Sequence, residues 1–145
     1  MPLIRVFYGP KGTGKTRAMV DAANDLSARS KGDIVYVHNS DELIYHLRQK
    51  IRFTNADDYP VHNIQSMLGF ICGILSQNFD IEAVFIDSLS YIVKTDLNEM
   101  AILLGELERV ADANGIDLYI SLSGEAKELP EQINKHIAKD FQGSC

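Results

Sequence analysis

The stretch Leu3-Ile4-Arg5-Val6-Phe7-Tyr8-Gly9-Pro10-Lys11-Gly12-Thr13-Gly14-Lys15-Thr16 decides how the remainder of the chain is read. Leu3 to Tyr8 is apolar apart from Arg5 and runs straight into a Gly/Pro-rich loop, the pattern of a buried strand. From Lys15 onward Ala18, Met19, Ala22, Ala23 and Leu26 recur at helical spacing, with Ser30-Lys31-Gly32 as the stop. Strand, loop and helix in that order fit G-x-x-x-x-G-K-S/T at every fixed position. In a chain this long, chance would produce the pattern on the order of once in a few hundred proteins.

Each residue type in the loop has a chemical reason. Glycines allow a tight turn in which successive backbone N–H groups face phosphate oxygens, and the following helix adds its positive N-terminal end. The motif therefore predicts a nucleoside triphosphate gripped by Gly9, Pro10, Lys11, Gly12, Thr13, Gly14, Lys15, Thr16 and Arg17. Lys15 is expected on the β and γ phosphates, and the Thr16 hydroxyl on Mg²⁺. The plainer reading, a Gly-rich turn with an incidental lysine, leaves the strand–loop–helix context unexplained.

Periodicity predicts the other elements. Ile34 to Val37 reads as a second strand. Ser40 as N-cap, Asp41 and Glu42 in a first turn, and the stripe Ile44, Leu47, Ile51 predict a second helix. Arg52 to Asn63 reads as a loop with a short strand at Val61 to Ile64. Ser66 to Ser76 is expected to be helical, Glu82 to Ile86 a third strand ending in Asp87, and Leu97 to Ala113 the longest helix, closed by Asn114-Gly115. Ile116 to Leu122 gives a fourth strand. Pro130 opens a last helix carrying Ile133, Ile137 and Phe141, with no fifth strand. Alternating strands and helices predict an α/β three-layer sandwich with a mainly parallel sheet, built as a single domain over residues 1–145.

A triphosphate loop needs a further magnesium support, usually an acid at the end of a buried strand. In Ala83-Val84-Phe85-Ile86-Asp87 an apolar strand delivers one carboxylate to the C-terminal edge of the sheet, where open α/β sheets hold their ligands. Asp87 is thus the expected second metal residue beside Thr16. A strand-ending Asp that merely caps the next turn is the alternative.

Phe85-Ile86-Asp87-Ser88-Leu89-Ser90 resembles the corresponding strand and turn of RecA- and KaiC-like P-loop ATPases, and the order of elements over residues 3 to 124 looks alike. The resemblance implies a RecA-like topology with the four strands in the spatial order 1-4-3-2, and ATP with Mg²⁺ as the ligand pair. Ser88 stands where many related ATPases carry a catalytic glutamate. The resemblance then points to the segment after the second strand, where Glu42 is the candidate to orient the attacking water and Lys15 the other catalytic residue. Acids in a helix's first turn are also favoured by the helix dipole alone. Ser123 corresponds to a γ-phosphate sensor, and Lys127 to a basic finger reaching a neighbouring subunit, although a solvated turn and a surface lysine are the ordinary alternatives.

A net charge of −6 lacks the broad basic field of a nucleic-acid binder, so nucleic acid is not the favoured partner. Arg48, Lys50 and Arg52 form a local basic group that equally suits a helix C-terminus. Cys72 and Cys145 make no metal or disulfide pattern, and His38, His46, His62 and His136 have no ligand spacing. Met67 to Leu75 is too short to span a bilayer, and the N-terminus does not read as a secretion signal, which together predict a cytoplasmic protein without a membrane partner. Ile102 and Leu103 widen the apolar face of the longest helix, either for a second copy or protein partner or for burial in the fold. Beside ATP hydrolysis the motif admits a small nucleoside or metabolite kinase and a non-catalytic nucleotide sensor.

Overall fold

The computed structural model describes residues 2–140. Its strands are β1 (Ile4–Gly9), β2 (Asp33–His38), β3 (Arg52–Asn55), β4 (Ile81–Ile86), β5 (Asp117–Ser123) and β6 (Ile137–Asp140). All neighbours pair in parallel, in one sheet ordered β3-β2-β4-β5-β1-β6. The helices are α1 (Lys15–Arg29), α2 (Ile64–Ser76), α3 (Leu89–Ile92), α4 (Leu97–Asn114) and α5 (Glu131–Asn134).

Successive strand residues point to opposite faces, so each apolar strand supplies two cores. Phe7, Ile34, Tyr36, Ala83 and Phe85 pack with Met19, Val20 and Ala23 of α1. On the other face Val6, Val35, Val37, Val84 and Ile86 pack with Met67 and Ile71 of α2 and with Leu103 and Leu107 of α4. Helices thus cover both faces of a parallel sheet. Four aromatic rings in register run across the α1 face. Tyr36 stacks on Phe53 at 6.4 Å and on Phe85 at 5.7 Å, and Phe85 on Tyr119 at 4.2 Å. Such cross-strand pairs hold neighbouring strands in one register.

The helix ends follow their sequence signals. The Asn63 side chain accepts from the Ser66 amide, and the Ser66 hydroxyl accepts from the Asn63 amide, a reciprocal cap that starts α2. Asp96 accepts from the Glu99 amide at 2.8 Å to start α4, and Gly115 closes it in a left-handed conformation.

Three expectations are corrected. The helix expected after Ser40 is a single 3₁₀ turn, Ile44–His46. Leu43, Leu47 and Ile51 are the buried residues there, while Ile44 is exposed. Asn24 of α1 takes over the backbone pairing, donating to the His46 carbonyl and accepting from the Arg48 amide, both at 2.9 Å. The expected loop holds the edge strand β3 at Arg52–Asn55, and the short strand expected at Val61 to Ile64 is instead the approach to α2. The helix opened by Pro130 stops at Asn134, and Ile137 begins β6, whose pairing with β1 starts where the Val6 amide donates to the His136 carbonyl at 2.8 Å. Phe141 and Cys145 lie outside the described residues. The sheet therefore gains two strands that periodicity missed, each on an outer edge. No described helix is long and apolar enough to cross a membrane.

Candidate functional site

β1 ends at Gly9, where Gly9 O accepts from the Gly124 amide at 3.0 Å and so fixes the loop's first residue to the end of β5. Gly12 and Gly14 take φ of +81° and +93°, the left-handed region that glycine enters without strain. The Pro10 carbonyl accepts from Thr13 Oγ1 at 2.7 Å and from Lys15 Nζ at 2.6 Å, which braces the loop across its mouth. Gly14 caps α1 and has no side chain to occupy the amides behind it, and no acid lies in the first turn. The positive end of α1 is left for an external anion.

Lys15 is only 6% exposed. Burial pushes its amine below the ordinary value of 10.5, and the nearby Asp87 charge offsets part of that. A buried cation held by one carbonyl gains from an incoming polyanion.

Asp87 follows β4 and is fully buried. Oδ1 accepts from Ser121 Oγ at 2.6 Å and from Thr16 Oγ1 at 3.2 Å, and Oδ2 from the Tyr36 hydroxyl at 2.7 Å. The register explains the convergence: Val37 lies opposite Ile86, and Ile86 opposite Ile120, so the ends of β2, β4 and β5 sit side by side. Ser88, next in sequence, takes φ +62°, a strained conformation for a residue with a Cβ, and its amide donates to Ser121 Oγ at 2.7 Å.

Two oxygens, Thr16 Oγ1 and Asp87 Oδ1, stand together at the loop, and hard oxygen donors are what Mg²⁺ takes beside phosphate oxygens and water. Among the described residues no group of three or more His, Cys, Asp or Glu gathers to hold a metal. The pair suits an ion whose remaining ligands come from a phosphate and water, rather than one caged by protein.

Lys11, Gly12, Gly14, Lys15, Thr16, Arg17, His38, Glu42, Ser88, Tyr91, Ser121 and Ser123 are among the residues lining one cavity of about 390 Å³. Glu42 reaches it from the segment after β2, with its side chain 75% exposed and Oε1 3.8 Å from His38 Nε2. Of the expected residues, Lys11, Gly12, Gly14, Lys15, Thr16, Arg17, Glu42 and Ser123 line this cavity, Asp87 meets it through its bond with Thr16, and Gly9, Pro10 and Thr13 are not among its lining. Lys127 is exposed and lines no part of it. Arg52 pairs with Asp33 at 3.1 Å, and Lys50 Nζ donates to the Ser30 carbonyl beyond α1 at 3.3 Å, so the basic group is divided between separate partners. Leu103 is buried in the fold, whereas Ile102 is exposed.

Tyr36, His38, Ser121 and Tyr91 belong to the cavity or its floor and were not anticipated as site residues. Ser121 carried a signal, a hydroxyl between Ile120 and Leu122 inside an apolar strand. Tyr36 and His38 alternate onto the α1 face of β2, a placement that needs the strand neighbours to be known. Tyr91 presents its ring beneath Lys11 Nζ at 5.7 Å. No protein-family model matches the chain, and no curated protein matches it either.

Proposed function

We infer that the protein binds ATP with Mg²⁺ through the loop Gly9 to Thr16 and hydrolyses it slowly, as a small P-loop ATPase of RecA-like topology. One observation carries the reading. Two left-handed glycines and an uncapped helix end surround a buried lysine, 3.2 Å separates the Thr16 and Asp87 oxygens, and all of them line or border one cavity. The adjacency of β1, β5, β4 and β2 in the sheet supports the RecA-like topology, with β3 and β6 added outside.

Mg²⁺ bound beside Thr16 and Asp87 would neutralise charge on the β and γ phosphates. The chain's own residues bind and orient. Loop amides and the α1 N-terminus hold the phosphates, Lys15 moves from the Pro10 carbonyl to phosphate oxygens, and Asp87 keeps the Thr16 hydroxyl aimed at the site. Glu42 accepts a proton from the water that attacks the γ phosphorus. Among the described residues the one arginine that lines the cavity is Arg17, in the first turn of α1 directly after the loop, and an arginine finger reaching in from another element can supply about 10³ to 10⁵ in rate, so turnover by one copy alone is expected to be slow. A second copy or a protein partner would be the source of faster turnover, and the exposed Ile102 on α4 is a place to seek its contact.

The test is to incubate the protein with Mg-ATP, with Lys15→Ala as control, and to identify every phosphorus-containing product. Free phosphate that disappears in the variant supports hydrolysis. A phosphorylated acceptor would replace this reading with a kinase, and bound but unchanged ATP would replace it with a sensor.

A further inference from the structure

The ring of His38 stands between two carboxylates. Nδ1 lies 3.5 Å from Oδ2 of the buried Asp87, and Nε2 lies 3.8 Å from Oε1 of the exposed Glu42. His38 is itself 4% exposed, yet Nδ1 makes no hydrogen bond among the described residues. Nδ1 is turned to the buried Asp87, and Nε2 is the ring nitrogen on the side of Glu42, which lines the cavity with His38.

A neutral imidazole has one donor and one acceptor. Asp87 accepts from four hydroxyls, those of Thr16, Tyr36, Ser88 and Ser121, and faces Nδ1 with an acceptor oxygen, so the neutral tautomer free of repulsion carries its hydrogen on Nδ1. Nε2 then presents a lone pair to the cavity, close to another acceptor, Glu42. Two acceptors 3.8 Å apart do not attract one another. A water between them satisfies both, because it has two O–H donors.

We propose that His38 is a catalytic residue which orients the attacking water: Nε2 accepts one of its hydrogens and Glu42 the other. The assignment rests on the hydrolytic reading of the site. In the reaction the water oxygen bonds to the γ phosphorus, and the bond from that phosphorus to the β–γ bridging oxygen breaks, its electron pair leaving on ADP. One water proton passes through Glu42 to the phosphate product. The other remains on the new P–OH.

The experiment measures single-turnover phosphate release from saturating Mg-ATP, and separately the affinity for a non-hydrolysable ATP analogue by calorimetry. Wild type, His38→Asn and His38→Gln are compared. Gln extends its amide oxygen towards the Nε2 position, whereas Asn reaches only the Nδ1 position. His38→Asn should lower the rate constant about 100-fold, with analogue affinity within about twofold, and His38→Gln should recover to within about tenfold of wild type. A rate for His38→Asn within about threefold of wild type would overturn the proposal. So would equal losses in both variants, or loss of affinity in step with rate, since either is what a merely structural residue gives. If wild type binds the analogue and releases no phosphate, hydrolysis and this proposal fall together while nucleotide binding stands. If wild type binds no analogue, the nucleotide reading itself falls.

Discussion

The Tyr36 hydroxyl, buried on β2, donates to Asp87 Oδ2 at 2.7 Å across the β2–β4 pair. Burial, then the Asp87 charge and the hydrogen bond, push the phenol far above its ordinary value of 10, so it stays a donor throughout the range in which the protein is folded. Tyr36→Phe keeps the ring on Phe85 and strips the carboxylate of one donor. The expected loss is about 1–3 kcal/mol in urea unfolding. An unchanged midpoint would mean that Asp87 does not depend on this bond.

Lys15 gives a pH dependence with a definite sign. Its folded value lies below 10.5, so between the folded and unfolded values the unfolded chain holds a proton that the native protein lacks. Stability contributed by this group therefore rises as pH climbs towards 10.5. Lys15→Met should flatten that alkaline rise in denaturant titrations. Saturating ATP analogue should also remove it, because phosphates favour the charged amine.

Ser88 holds φ +62° in the strand-to-helix turn after Asp87. A glycine there removes the clash of the Cβ, at some entropic cost in the unfolded chain. Ser88→Gly is expected to raise stability by about 0.5–1 kcal/mol. A loss instead would show that the long contact of Ser88 Oγ to Asp87 Oδ1, 3.5 Å, outweighs the strain.

Glu108 on α4 fastens the chain segment that leads into β6. It accepts from Gln132 at 2.5 Å and from His136 at 3.2 Å, with Lys135 at 3.8 Å. Burial raises its carboxyl, but these hydrogen bonds and positive charges prevail and hold it below the ordinary 4.5. The stabilisation is present above pH 4.5 and is lost as pH falls through the lower folded value. Glu108→Gln should cost about 0.5–1.5 kcal/mol at neutral pH and reduce the acid-side slope, read by thermal melts between pH 3 and 7. Identical slopes would contradict this.

The loop was legible because its chemistry is written in consecutive residues: Gly12 and Gly14 supply the turn, and Lys15 and Thr16 follow at fixed offsets. Asp87 was legible because a single acid ends an apolar strand. Tyr36, His38 and Ser121 were not, since each reaches Asp87 or the cavity across strand neighbours that lie tens of residues away in sequence. The edge strands escaped for another reason. Arg52-Phe53-Thr54-Asn55 is largely polar with one partner strand only, and Ile133 and Ile137 are four residues apart, so helical spacing there concealed a helix end and a strand start. Between Leu43 and Ile51 the chain gives up the helical pattern, and Asn24, more than twenty residues earlier on α1, takes its backbone hydrogen bonds.

The position of β1 has a bearing on synthesis. Its hydrogen-bonded neighbours are β5 and β6, and the Leu3 amide reaches Asp117, 114 residues onward. As the polypeptide is made, the bend after β1 emerges well before the two ribbons that flank it. The seating of that bend is consequently a late acquisition of folding, and a chain cut before Asp117 would leave β1 with neither of its flanking strands.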